Sequence, residues 1–89
     1  MSLQVRLTAV DGEGRGTLEH HPARPMVRTR RVSEGRLRID LFDHGQQIGG
    51  GVLHAERGFW RGVCSEFAGQ WHVSGRCGDG TLEFSEHQQ

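Results

Sequence analysis

No stretch of this 89-residue chain approaches the roughly eighteen consecutive apolar residues that a membrane-spanning helix requires. The opening Met-Ser-Leu-Gln-Val-Arg lacks the basic and apolar regions of a signal peptide, which predicts a cytoplasmic protein. Lysine, tyrosine and asparagine are missing altogether. All eleven basic residues are arginine, a usage that a GC-rich coding bias accounts for. There are only two cysteines, and without an export signal they are expected to be free thiols. The net charge is zero, which excludes steering of the whole molecule toward nucleic acid or membrane. No segment shows a 3.6-residue apolar period, so a long helix is excluded. Linkers, low-complexity tracts and repeats are absent as well, and residues 1–89 read as a single domain.

What the chain has is glycine, fourteen in all. Gly35, Gly45, Gly58, Gly69 and Gly80 recur every 10 to 13 residues, with alternating apolar and polar stretches between them. That cadence predicts an all-β antiparallel meander of about seven or eight short strands, curled into a small barrel or a two-layer sandwich. The expected strands are residues 3–9, a short edge strand near 17–20, then 27–32, 36–42, 47–56, 59–67, 70–77 and 81–85. Asp11-Gly12 ends the first of them, and Pro22 and Pro25 enforce an extended connection before the third.

Two-residue turns fix register. Turns at Arg57-Gly58, Ala68-Gly69 and Asp79-Gly80 pair Ala55 with Trp60, Cys64 with Val73, Gly62 with Gly75, and Gly75 with Phe84. They put Leu53, Ala55, Trp60, Cys64, Trp71, Val73, Cys77, Leu82 and Phe84 on one face, taken as the core. Leu37, Ile39 and Leu41 join that face only if one extra residue, a bulge, sits at Gly49-Gly50-Gly51. In this register Cys64 and Cys77 lie roughly 13 Å apart along the sheet, too far for a disulfide. His72 points to the face opposite Cys64, which excludes a Cys–His dyad. The facing glycines Gly62 and Gly75 leave a notch on the core side that lets the sheet coil.

Two surfaces could bind something. Arg24, Arg28, Arg30, Arg31, Arg36 and Arg38 crowd into fifteen residues opposed only by Glu34, a local charge of +5. A hairpin at Glu34-Gly35 sets Arg31 against Arg38, and such a pair needs an acidic neighbour, a second subunit or an anionic ligand to offset it. Candidate acidic neighbours are Asp40, Asp43 and Glu19. An arginine-faced ribbon can track phosphates without reading sequence. The string Thr29-Arg-Arg-Val-Ser-Glu34 resembles the Arg-rich opening strand of the carbon storage regulator family of RNA-binding β-proteins. The resemblance covers six residues in mid-chain, and no function is carried over from it. The second surface is the row Phe59, Val63 and Phe67, on the side of its strand opposite the core, a candidate face for a homodimer or another protein partner.

Six histidines (His20, His21, His44, His54, His72, His87) form no metal-binding unit, and neither a metal nor a cofactor is expected. No nucleophile motif or phosphate-binding loop occurs. The reading from sequence is a small non-enzymatic binding or interaction module, possible homodimer included. The alternative is a module that binds nucleic acid or another polyanion through the arginine ribbon.

Overall fold

The computed structural model describes residues 2–10, 13–66 and 69–86. The Asp11-Gly12 and Ala68-Gly69 turns therefore fall wholly or partly outside the described residues, as do Phe67 and His87. The chain forms β1 (Ser2–Arg6), β2 (Thr8–Val10), β3 (Glu13–Thr17), β4 (Met26–Ser33), β5 (Arg36–Asp43), β6 (Gln46–Glu56), β7 (Phe59–Glu66), β8 (Gly69–Arg76) and β9 (Thr81–Glu86). All neighbours are antiparallel, in the order β1-β9-β8-β7-β6-β5-β4-β3-β2. β1 and β2 are halves of one strand interrupted at Leu7, the first pairing with β9 and the second with β3. A meander of eight strands thus forms a nearly closed barrel rather than a sandwich.

Two hairpins are built as the sequence predicts. At His44-Gly45 and Arg57-Gly58 both turn residues have positive φ, the geometry whose twist matches antiparallel strands. The second gives Ala55↔Trp60 and Leu53↔Gly62 as expected. The extra residue in β6 is present too. It lies at Ile48, just ahead of the triple glycine, and returns Leu37, Ile39 and Leu41 to the interior.

Two other registers differ. β7 and β8 meet at Glu66↔Gly69, so Gly69 is a strand residue and Gly62 faces Val73, not Gly75. β8 and β9 are joined by a longer loop in which both Gly78 and Gly80 have positive φ, and Val73 rather than Gly75 faces Phe84. Each pairing is displaced by two residues. An even displacement leaves every side chain on its original face, which is why the core survives the misregister. The predicted core residues Leu53, Trp60, Cys64, Val73, Leu82 and Phe84 are buried, whereas Trp71 and Cys77 are partly buried and Ala55, near its turn, is exposed. The expected edge strand near 17–20 is instead β3, paired on both sides, and residues 18–25 form a loop.

The barrel is narrow enough that strands run close to one another's backbone. A Cβ on Gly16 would sit 2.5 Å from the Arg6 carbonyl oxygen, and one on Gly75 would sit 2.5 Å from that of Thr81 and 2.9 Å from Leu82 Cδ2. Gly75→Val is therefore expected to cost about 2 kcal/mol or more through forced displacement of β9. A thermal melt followed by circular dichroism checks this, and an unchanged midpoint would contradict the close approach.

Candidate functional site

The outward side chains of β4 to β8 bring together the two surfaces that the sequence lists separately. One row across the strands reads Arg30↔Arg38↔Val52↔Val63↔His72. Two residues along, the next reads Arg36↔His54↔Arg61↔Ser74. At the strand spacing, the first row spans about 19 Å. Val52 and Val63 are a direct cross-strand pair, 41% and 40% exposed. Phe59, also exposed, lies at the end of β7 beneath the Arg76 guanidinium, 5.9 Å from its ring centre. Arginines thus flank a small apolar centre on the β4–β5 side and at Arg61, with His54 and His72 completing the neighbouring positions.

A buried acid organises the basic side of this face. Asp40 points outward yet is only 3% exposed, because its neighbour across the strands is Gly50, whose missing side chain leaves a trough. Its Oδ1 accepts hydrogen bonds from Arg38 Nε at 3.1 Å and Gln47 Nε2 at 2.9 Å. Arg28 approaches Oδ2 at 3.9 Å and lays its guanidinium over Phe42, 5.0 Å from the ring centre. A charge-assisted hydrogen bond holds Arg38 in place, while Arg28 stays at ion-pair distance and its buried Nε has no hydrogen-bond partner among the described residues.

The arginine ribbon is accordingly divided. A bulge between Arg31 and Ser33 sets Arg30, not Arg31, opposite Arg38. Arg31 falls opposite Leu37, on the interior parity but exposed at the barrel rim. Arg24 lies in the loop of residues 18–25, with φ 46°, at the other end of the barrel. Arg28 and Arg38 pair with Asp40, while no ion pair among the described residues engages Arg30, Arg36 or Arg61. Of the other expected acidic neighbours, Asp43 pairs with His44 at 2.7 Å.

A second polar cluster seals the end of the barrel where the loop enters. Leu18, His21 and Pro25 are buried in it, and Leu18 N donates to Pro25 O at 3.1 Å. The Ala23 amide donates to His21 Nδ1 at 3.1 Å, so the ring proton sits on Nε2 and is donated to Glu66 Oε1 at 2.8 Å. Trp71 Nε1 donates to the same oxygen at 3.1 Å. Sequence reading passed over this cluster, although one signal was available. Glu66 alternates with Trp60 and Cys64 and so shares their inward parity, where an acid needs partners. The hydrogen bonds of His21 and Trp71 converge on one carboxylate oxygen, which makes the cluster a polar plug.

Both cysteines are free. Cys64 is fully buried, and burial, then the nearby charges of Glu66 and Asp40, push its thiol up to about 12. His72 is on the outer face and Cys64 on the inner. Among the described residues no group of three or more His, Cys, Asp or Glu could hold a metal ion, and no helix is long and apolar enough to cross a membrane.

Two measurements follow from these contacts. Glu66→Leu leaves two buried N–H donors without an acceptor and is expected to cost about 2–4 kcal/mol in urea unfolding, while Glu66→Gln, which keeps an acceptor oxygen, should cost distinctly less. For Cys64, a folded-state value above the unfolded one means that stability present below pH 9 is lost between pH 9 and about 12, as only the unfolded chain sheds the proton. Cys64→Ala should flatten that part of the pH profile. Comparison with known proteins returns no matching family model, no matching curated protein and no matching solved structure, so what the chain does must be read from its own surfaces.

Proposed function

We propose that this protein is a non-enzymatic binding module whose outer face on β4 to β7 docks an acidic partner protein. The observation that carries this is the exposed Val52–Val63 pair on the same face as Arg30, Arg36 and Arg61, which have no ion-pair partner among the described residues. Apolar centres bordered by arginine are the composition of protein interfaces. Desolvated carboxylates from a partner would pair with these arginines in the bidentate geometry that guanidinium favours.

Charge decides among occupants. A second copy related by a two-fold axis would set this face against itself and bring its arginines together. That weighs against the homodimer expected through Phe59, Val63 and Phe67, and for a partner of opposite sign. Nucleic acid is the runner-up. Against it, the centre of the face is aliphatic, whereas single strands are held by rows of aromatic side chains.

A labelled acidic peptide carrying leucines, polyglutamate and an oligothymidylate serve as probes in fluorescence anisotropy. The leucine-bearing peptide is expected to bind more tightly than polyglutamate and to weaken between about 50 and about 200 mM salt. The charge reversal Arg36→Glu with Arg61→Glu should lower its affinity at least about tenfold, and Val63→Asp should do the same. Tighter binding of the oligothymidylate, insensitive to Val63→Asp, would transfer the face to nucleic acid. No binding of any probe at low salt would reject it as an anion-docking surface.

A further inference from the structure

We propose that the open mouth of the barrel is a binding site for a small, uncharged, largely apolar molecule bearing one hydrogen-bonding oxygen, which reaches Thr29. The barrel is plugged at one end by residues 18–25; at the other, the described part of the rim is formed by the turns at Glu34-Gly35 and Arg57-Gly58 and by residues 77–80. Inside the rim lies a cavity of about 420 Å³ lined by Leu7, Thr29, Leu37, Trp60 and Leu82. Because the far end is sealed, this is a blind pocket and not a pore.

Thr29 is the group that marks the cavity as more than a gap in packing. It sits on the inward parity of β4, two residues from the buried Val27, and is 2% exposed. Its Oγ1 is buried without a hydrogen-bond partner among the described residues. A buried hydroxyl left unpartnered costs stability, and valine, of the same shape and equally suited to a strand, would avoid that cost. The described residues offer Oγ1 no partner, whereas a ligand entering the cavity and displacing the wall enough to touch it would accept from it or donate to it.

The remaining lining defines the ligand. Leu7, Leu37, Leu82 and the Trp60 ring supply an apolar wall with one aromatic surface. Among the described residues the charged members of the cavity lining are Arg76 and Asp79, which are opposite in sign; the Arg76 guanidinium is drawn over Phe59 on the outer face, and Arg31, Glu34 and Arg57 stand exposed at the rim. A cavity of about 150 Å³ lined by aliphatic and aromatic side chains accommodates benzene. The mouth, larger and open on one side, takes a molecule of one or two rings, or a short branched chain, with its polar atom leading inward.

The two tryptophans lie at opposite ends, Trp60 in the mouth and Trp71 in the plug, so nuclear magnetic resonance can locate a bound molecule. The probes are 4-ethylphenol and ethylbenzene, which differ by the single hydroxyl. Titration of 4-ethylphenol is expected to move the Trp60 indole and the Leu37 and Leu82 methyl signals and to leave Trp71 in place. Ethylbenzene should bind at the same site roughly five- to tenfold more weakly, the worth of one hydrogen bond. Thr29→Val should erase that preference without lowering the melting temperature of the free protein, and Thr29→Ser, which keeps the hydroxyl, should retain it. The proposal is overturned if neither probe moves the mouth signals, if the shifts centre on Trp71, or if the preference persists in Thr29→Val. A lower melting temperature for Thr29→Val would also overturn it, since the hydroxyl would then serve the fold.

Discussion

Closure of the sheet is the constraint on which the rest of this molecule depends. The N-terminal strand brings the eight-stranded sheet to near-closure by serving two seams, with β9 through β1 and with β3 through β2. The bend at Leu7 hands the ladder from β9 to β3, and the Leu7 amide donates to Gly80 O at 2.6 Å where the first seam ends. An open edge would present unpaired amides and carbonyls as a template for aggregation, and closure removes it. The requirement propagates inward. Strands wound this tightly run against neighbouring carbonyls at Gly16 and Gly75, which only a residue without a Cβ permits.

A closed wall leaves three places where recognition can occur: the outer surface and the two ends. They differ in how completely their polar groups are satisfied. At the plug, one carboxylate oxygen accepts from both His21 and Trp71, so these two ring N–H groups are answered within the fold. On the wall, Asp40 hydrogen-bonds Arg38 and lies at ion-pair distance from Arg28, while Arg30, Arg36 and Arg61 have no ion pair among the described residues. At the mouth the unanswered group among the described residues, Thr29 Oγ1, is neutral. Satisfied, charged and neutral are three different chemistries on one small barrel, and they need not share a ligand.

Much of the architecture could be read from the sequence because it is local. X-Gly doublets set hairpins within ten residues of themselves, and the Arg57-Gly58 register follows from the doublet alone. Where glycines are denser the rule loses force. Cys77-Gly78-Asp79-Gly80 contains two residues able to adopt positive φ, and the loop uses both. β3 was obscured for a related reason, since Gly14 and Gly16 carry no side chains to alternate. The division of the N-terminal strand between β9 and β3 is a long-range fact with no local signature. Of the site, the arginines and the Phe59–Val63 row were legible as residue types, but their adjacency required a bulge in β4 and another in β6. Thr29 gives no sign in sequence at all, because an inward threonine among apolar neighbours is ordinary until its partners are counted.

The double role of the N-terminal strand also dictates an order of events during synthesis. β1 is made before every other described strand, and its partner β9 is made last. The hairpins from β4 to β9 can assemble as each turn leaves the ribosome, since each strand's partner is the one before it. The β1–β9 seam must wait for the whole meander. During that interval the nascent sheet has two bare edges, one on β1 and the other advancing with each new strand. The time needed to translate the chain from β1 to β9 is a lower bound on how long these edges stay bare, whatever the contacts of the finished barrel.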